Sequence, residues 1–421
     1  MDTKQYTNYL TILKEELIPS MGCTEPIAVA LCAAKAREVL GMIPEHMVVC
    51  CSGNIIKNVK GVVVPNSGGQ KGIAPAAILG VLTGKSEKGL EVIAEADEDA
   101  IEKTKKLCLT DFCTCELAEG VENLFIRVEL KRGLDTVIVE IRTNDDHVAL
   151  IQKNSDILFS QPDISESRAG DKSKLNIKDI YTFANEVNMN DVREVIGRQI
   201  EYNTAISHEG LIHDWGAAVG RTLLSAEEQG IRTKARAAAA AGSDARMNGC
   251  SMPVVINSGS GNQGITCTMP LVVYAKETGA SEELLYRSLV LTNLMALYQK
   301  FFIGNLSAYC GAVSAGAAAG CGIAYLYGET LEVIEHTLIN AIGDVGGIVC
   351  DGAKASCAAK IASAVDAGIL GYEMAKRNRC FPFGEGLVET SAEQTVQNVG
   401  RVGRVGMKST DIEILNIMLG A

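Results

Sequence analysis

The chain has 421 residues, a formal net charge of −12 and 14 cysteines. Its length allows two or more domains with a large core, and its acidic balance argues against nucleic acid and anionic membrane surfaces as partners. Neither a membrane span nor the basic and apolar segments of a signal peptide are evident, so we expect a cytoplasmic protein with free thiols rather than disulfides.

The N-terminal part mixes helical and extended patterns. Apolar residues at helical spacing predict helices over 5–18 and 27–40. The β-branched stretch 46–66 predicts two strands, or one strand and a buried turn. A short helix is predicted over 72–82, broken at Pro75.

The pattern changes at about residue 88. Residues 91–108 predict a strand that runs into a charged helix, and 124–132 and 135–143 alternate apolar and polar residues as strands do. Residues 147–160 continue this sheet, which we expect to be antiparallel. The polar, aperiodic stretch 161–175 is the best candidate linker.

Helical patterns dominate from about residue 176 to the end. The predicted fold class is therefore α+β: a mainly helical domain built from residues 1–87 and 176–421, with a small α+β domain over 88–175 inserted between them. Gly- and Ala-rich helices in the C-terminal half predict close helix packing and suit a homodimer interface.

Three cysteines near the C-terminus form the main candidate metal site. Cys310, Cys350 and Cys357 each lie beside glycine or another small residue, where the backbone can approach a bulky ligand. Three thiolates are one fewer than a closed four-cysteine iron–sulfur site needs, so a cubane cluster held by them would keep one iron open for substrate. For each cysteine alone, a buried inert thiol is the alternative.

Cys23 is a candidate catalytic residue. It lies in PSMGCTEP, directly before a predicted helix. A helix N-terminus lowers the pKa of a cysteine, and a thiolate there can serve as a base or nucleophile. The alternative is a thiol buried under a turn.

Two further sets of residues carry weaker signals. Cys108, Cys113 and Cys115 have metal-like spacing but no fourth ligand, so we interpret them as structural, with redox sensitivity as the alternative. His208 beside Glu209 is a candidate polar site group. The sequence has no Walker loop, no convincing dinucleotide fingerprint and no local signal for a pyridoxal phosphate lysine.

Two loops resemble each other. VVVPNSGGQKG (62–72) and PVVINSGSGNQG (253–264) both place Asn-Ser-Gly after an apolar run and before a helix. Consecutive backbone N–H groups at a helix start suit a carboxylate or phosphate. The alternative is a pair of tight turns. If they bind a carboxylate, the candidate side chains are Asn66, Ser67, Asn257, Ser258 and Gln263.

Four motifs together resemble the L-cysteine desulfidase family, which is related to the α-chain of iron–sulfur L-serine dehydratases. They are PSMGCTEPIAVAL, NSGSGNQGITCTMPLV, AYCGAVSAGAAAGCG and GIVCDGAKASCAAKI, and the resemblance runs over nearly the whole chain. It implies a lyase that converts L-cysteine to pyruvate, ammonia and hydrogen sulfide without pyridoxal phosphate. It also implies a [4Fe–4S] cluster on Cys310, Cys350 and Cys357, with Cys23 as the catalytic base.

Two alternatives stay open at this point. In the first, the substrate is L-serine or another β-substituted amino acid. In the second, the cluster is regulatory and the protein is a redox or iron sensor. No DNA-binding helix pair or basic patch supports the sensor.

Overall fold

The fold is α+β and mainly helical, as the sequence predicts. The computed structural model describes residues 1–161, 169–226, 228–304 and 306–420, so part of the predicted linker, 162–168, lies outside the described residues. Within those ranges, none of the helices has the length and apolar character needed to cross a membrane. The helices are α1 Thr3–Glu16, α2 Thr24–Leu40, α3 Gly53–Lys60, α4 Ile73–Thr83, α5 Glu98–Leu107, α6 Ile177–Glu186, α7 Met189–Ile212, α8 Val219–Ala226, α9 Ile231–Met247, α10 Gly261–Thr278, α11 Glu282–Ile303, α12 Gly311–Leu326, α13 Leu331–Val345, α14 Cys357–Ala375, α15 Ala392–Arg401 and α16 Lys408–Leu419.

The strands form two sheets. Their bounds are β1 Pro19–Met21, β2 His46–Cys51, β3 Cys113–Leu117, β4 Phe125–Arg132, β5 Asp135–Arg142, β6 Val148–Lys153, β7 Asp156–Ser160 and β8 Pro253–Val255. The larger sheet has the order β3-β2-β4-β5-β6-β7 and is mixed rather than purely antiparallel, because β2 and β3 run parallel. Three helices, α3 to α5, separate these two strands in the chain and supply the crossover that a parallel pair requires.

The stretch 46–66 differs from its prediction as an extended segment. Its first part is strand β2, but helix α3 follows, with Ile55 and Val59 buried on the face that packs into the core. These β-branched residues favour strands, yet their four-residue spacing is that of a helix face. Helix α4 is not broken at Pro75, because this residue lies in the first turn, where a helix needs no donor.

The buried apolar side chains form two main cores. One core joins α1 to the helices from α6 onward, and the other packs α2 to α5 against the larger sheet. The sheet core draws on residues from both 1–87 and 88–175, whose separation into different domains remains a prediction.

A short two-stranded ladder connects these two regions. β1 pairs with β8, and Ser20 lies opposite Val254. β1 leads through Gly22, which has a φ of 57°, into α2, while β8 leads through residues 257–260 into α10. The ladder therefore holds the starts of α2 and α10 side by side.

Helices α12 and α14 pack backbone against backbone through glycines. A Cβ on Gly368 would lie 2.1 Å from the carbonyl oxygen of Gly316. We therefore expect Gly368→Ala to destabilise the protein by about 1–3 kcal/mol, measured by denaturant unfolding, since overpacked cores cost this much. Gly347→Ala is the control, because no atom lies within 4 Å of its Cβ position. Equal stability of the two variants would contradict this view of the helix contact.

Candidate active site

A cavity of about 150 Å³ lies where the two cores meet. All four cysteines singled out in the sequence, Cys23, Cys310, Cys350 and Cys357, line it. Charged and polar side chains complete much of the remaining wall, among them Glu25, Asn54, Lys57, Asn58, Asp145, Arg246, Ser258, Asn262, Gln263, Lys300 and Tyr309.

Backbone pairing brings Cys310 next to Cys350. The N–H of Cys310 donates to the carbonyl oxygen of Ile348 at 3.0 Å, and the N–H of Cys350 donates to that of Ala308 at 2.6 Å. These two bonds flank a bridge between Tyr309 and Val349. Two cysteines that lie 40 positions apart in the chain are thereby held at one place.

Cys357 reaches the same cavity from the first residue of α14. Its loop turns at Gly352, which has a φ of 94° and whose Cβ position lies 2.2 Å from the carbonyl oxygen of Lys57. The Asp351 carboxylate pairs with both Lys354 and Lys360 and so closes the loop on itself. The pair with Lys354 lies within CDGAKASC, and the pair with Lys360 joins this loop to α14.

The three thiols differ in their electrostatics. A hydrogen bond between the Cys310 and Cys350 side chains raises the pKa of Cys310 and lowers the pKa of Cys350. Burial raises the pKa of Cys357. Lys57 and Lys360 also favour the Cys350 thiolate. Burial lowers the pKa of Lys300, which faces both cysteines of the pair, to about 8.

This donor set fits an iron–sulfur cluster better than a single ion. Across the described ranges, no three histidine, cysteine or acidic side chains converge closely enough to hold one metal ion. A cubane makes a different demand, because each of its cysteines binds a different iron. Three thiols on one cavity wall, with Lys57 and Lys300 beside them, match an anionic cluster with one open iron.

Helix starts also converge on this cavity. The first turns of α2, α3, α10, α12 and α14 contribute to its wall, and none of these five helices has a hydrogen bond from its N-cap side chain. The N–H groups of a first turn lack acceptors within the helix and carry partial positive charge. The fold thus directs several positive helix ends at a site that suits anions.

Cys23 is the N-cap of α2, as its place in the sequence indicates, but it is not a preformed thiolate. It is 2% exposed, and its thiol donates to Oε2 of Glu25 at 3.0 Å. Burial and the negative charge of Glu25 raise the pKa of Cys23 well above its ordinary value, against the opposing effect of Arg246. The expected lowering by the helix end is therefore outweighed.

Glu25 is held in turn by its neighbours. Asn58 donates to its Oε1 at 2.8 Å, and the Thr24 hydroxyl lies 3.1 Å from its Oε2. Cys23 also packs with Val62 and Met247, next to Cys357. The Cys23 thiol therefore contacts the Glu25 carboxylate and lies close to Cys357, a cysteine of the candidate metal site.

The two similar loops take different positions. In the first, Asn66 donates to the carbonyl oxygens of Ile93 and Ala94, and the Ser67 hydroxyl donates to Val64. Ser67 thus stabilises its own turn, Asn66 ties the loop to residues 93–94, and neither side chain is part of the cavity wall.

The second loop does reach the cavity. Ser258 and Gln263 line it, and Ser258 has a φ of 51°, a conformation that is uncommon for serine. Asn257 is buried behind them and donates a hydrogen bond to Asn293. It therefore stabilises the loop but does not line the cavity. Of the five candidate carboxylate ligands, the structure brings two to the cavity.

Among the cavity residues that the sequence did not single out, Glu25, Arg246 and Asn262 bear most directly on the chemistry. Glu25 follows Cys23 by two positions, so the CTEP motif already contained it. Arg246 lies in the last turn of the alanine-rich helix α9, where the sequence does not distinguish a buried arginine from a solvated one, and Asn262 adjoins Gln263. The other weak candidates lie elsewhere: His208 is exposed on α7, and Cys113 and Cys115 lie on the edge strand β3.

Fold and cavity together define a mainly helical α+β protein with a thiol-lined candidate active site. A family model for the serine dehydratase alpha chain matches residues 87–416. Relatives called UPF0597 protein include one from Finegoldia magna, 50% identical over 414 residues (98% of this chain, 99% of the relative), and one from Desulfitobacterium hafniense, 49% identical over 418 residues (99% and 97%). The chain belongs to the serine dehydratase alpha chain family.

Proposed function

We propose that this protein is an iron–sulfur-dependent lyase that converts L-cysteine to pyruvate, ammonia and hydrogen sulfide. Cys310, Cys350 and Cys357 would hold a [4Fe–4S] cluster, and Cys23 would act as the base. The observation that carries the proposal is the shared cavity, which these four cysteines line together. No pyridoxal phosphate is required by this chemistry.

Each of several cavity residues would have a separate role in the reaction. When bound, the cluster would supply a Lewis-acidic, thiophilic iron with an open position for the substrate. Glu25 accepts the hydrogen bond of the Cys23 thiol and is placed to take its proton, which leaves a thiolate. Cys23 then removes the α-proton, and the buried positive charges of Lys300 and Arg246 stabilise the negative charge that develops.

Elimination completes the balance of atoms. The electrons of the Cα–H bond form the Cα–Cβ double bond as the Cβ–S bond breaks, and the sulfur leaves as hydrosulfide. The product, 2-aminoacrylate, tautomerises to its imine, which water hydrolyses to pyruvate and ammonia. Only the first stage requires the protein.

A comparison of substrates tests the proposal. Anaerobically purified protein should release sulfide and pyruvate in equal amounts from L-cysteine, and faster than it forms pyruvate from L-serine. Protein prepared without iron is the control and should do neither. If the iron-loaded protein formed no sulfide from L-cysteine, the proposed L-cysteine lyase activity would be refuted.

The family match supports a second candidate, L-serine dehydratase, since the matching family model carries that description. With Cys23 as the same base, hydroxide would leave Cβ instead of hydrosulfide, and the cluster would supply the Lewis acid. Faster pyruvate formation from L-serine in the same comparison would favour this candidate. A cluster-based redox sensor remains the third proposal, and it predicts no turnover of either amino acid.

A cytoplasmic location and a homodimer also remain proposals. The acidic composition suits the first. Exposed apolar side chains near the C-terminus, such as Ile412 and Ile417, suit the second. Sedimentation of the purified chain would measure the assembly directly.

A further inference from the structure

Buried polar atoms without hydrogen-bond partners are concentrated on the cavity. In the part of the chain that the structure describes, six of its lining side chains carry such an atom: Asn54, Asp145, Arg246, Asn262, Gln263 and Tyr309. A buried polar group is normally paired, and the exceptions call for an explanation. A polar ligand that enters this cavity would provide the partners.

Arg246 is the donor among them. It lies in the last turn of α9 and is 2% exposed, and its Nε has no acceptor among the described residues. Arginine is rarely buried without a partner, and its planar fork matches a carboxylate. Its side chain lines the same cavity as the four cysteines.

The start of α10 lies directly against this guanidinium. A Cβ on Gly261 would stand 2.3 Å from Nε and 2.8 Å from Cζ of Arg246, so only glycine leaves room for the side chain here. The 18-residue helix has no hydrogen bond from its N-cap side chain. An arginine and a free first turn together form a cradle for a small anion.

Among the described residues, no carboxylate forms an ion pair with Arg246. The acidic side chains to consider are Asp145, whose charged form Arg246 favours, and Glu25, which lines the same cavity. Burial and the charges of Glu25 and Asp146 raise the pKa of Asp145 well above its ordinary value, which favours its neutral form. Glu25 is already held by Cys23 and Asn58.

Acceptors lie beside the cradle. The Oδ1 of Asn262 and the Oε1 of Gln263 are buried without partners in the described structure. Gln263 also contacts Gly311, the residue after Cys310. A Cβ on Gly311 would lie 2.6 Å from the Cδ of Gln263. The unpaired atoms thus comprise a cationic donor and neutral acceptors, which complement a carboxylate and an ammonium group.

We propose that Arg246 and the first turn of α10 bind the carboxylate of an α-amino acid, while Asn262 and Gln263 accept hydrogen bonds from its ammonium group. This inference rests on the proposed function, because it places the substrate beside the cysteines. It deepens that function by assigning the ligand class and the residue that selects it.

The preference for a carboxylate over an amide is the readout that tests this assignment. L-Alanine has no leaving group at Cβ, and L-alaninamide lacks the carboxylate charge. Calorimetric titration of the iron-loaded protein should show that L-alanine binds more tightly by on the order of 10–100-fold, as expected for a charged hydrogen-bonded pair. Arg246→Gln should abolish this preference by weakening the binding of L-alanine alone.

Two further variants guard against a merely structural effect. Arg246→Lys keeps the charge but loses the fork, so it should retain a reduced preference and serves if the glutamine variant does not fold. Arg232→Gln is the matched control, because Arg232 lies in the same helix and pairs with Asp366 at 2.6 Å. It should bind both probes as the unchanged protein does.

The outcomes separate this inference from the proposed function. An unchanged preference in Arg246→Gln, or equal weakening of both probes, would overturn the assignment of Arg246. Loss of the preference in that variant supports the assignment even if L-cysteine and L-serine yield no pyruvate, a result that would refute the lyase alone.

Discussion

Cys350→Ala is expected to abolish both the iron–sulfur cluster and the lyase activity. The protein purified without oxygen should contain about four irons per chain and show the broad visible absorption of a [4Fe–4S] cluster, and the variant should lose both. Removal of one thiolate leaves two ligands, which is too few to hold a cubane whose fourth iron is already open. Iron analysis and absorption spectra measure the result.

The choice of Cys350 separates loss of the cluster from loss of the fold. Alanine keeps the backbone hydrogen bond of Cys350 to Ala308 and loses the side-chain hydrogen bond with Cys310. The Cys350 side chain is only partly buried, so truncation removes little packing. We therefore expect the unfolding free energy of the iron-free variant to lie within about 1–2 kcal/mol of that of the iron-free parent.

Cys321→Ala is the matched control. Cys321 lies in α12, the helix that Cys310 caps, but it is fully buried and its thiol donates to the carbonyl oxygen of Ile334 at 3.6 Å. Truncation there should cost about 1 kcal/mol of stability and leave the iron content unchanged. Full iron content in Cys350→Ala, or its loss in both variants, would contradict the proposed ligand set.

The parts of the fold that were predicted are those with local periodicity. Strands β4 and β5 alternate apolar and polar residues, and helices such as α11 have a long apolar face with a serine cap. Helix α3 was not predicted, because Ile55 and Val59 satisfy a strand pattern as well as a helical one over so short a stretch. Packing of this segment into the core selects the helix over the strand.

The candidate site depends more on long-range pairing. Spacing alone does not indicate that residues 308–310 pair with 348–350, or that β1 pairs with β8. The resemblance of four motifs to a known family provided this grouping instead. Where only loop chemistry was available, at Asn66 and Ser67, the side chains bond within the protein and do not line the cavity, so their role in carboxylate binding stays a prediction.

The surroundings of Glu25 and Arg246 could not be predicted from the sequence. Neither residue type is unusual at the surface, so sequence alone does not separate a solvated charge from a buried one. The structure makes that distinction through burial and partners: Glu25 accepts from the Cys23 thiol, and Arg246 is 2% exposed.

Cys23→Ala is expected to keep the cluster and lose turnover by roughly 10²–10⁴-fold, the range for removal of a general base. Exchange of the α-proton of L-alanine in heavy water, followed by proton NMR, isolates this step from elimination. The parent protein should exchange the proton, and the variant should not. Cys23 is not among the three proposed ligands, so the iron content of the Cys23→Ala protein should equal that of the parent.

Cys32→Ala is the control for this variant. Cys32 lies in α2, the same helix that Cys23 caps, and its buried thiol donates to the carbonyl oxygen of Val139 at 3.3 Å. Exchange should proceed normally in it. Normal exchange in Cys23→Ala would instead remove this thiol from the mechanism.

Glu25→Gln tests how the thiolate forms. Glutamine keeps an acceptor for the Cys23 thiol and removes both the negative charge that raises the pKa of Cys23 and the base that can take its proton. We expect loss of the base to outweigh the relieved charge, so exchange should slow while the iron content stays full. If Glu25 merely held the thiol in place, the isosteric amide would preserve the rate. A slowed rate therefore assigns the carboxylate a part in proton transfer, since the thiol must lose its own proton before it can remove one from the substrate.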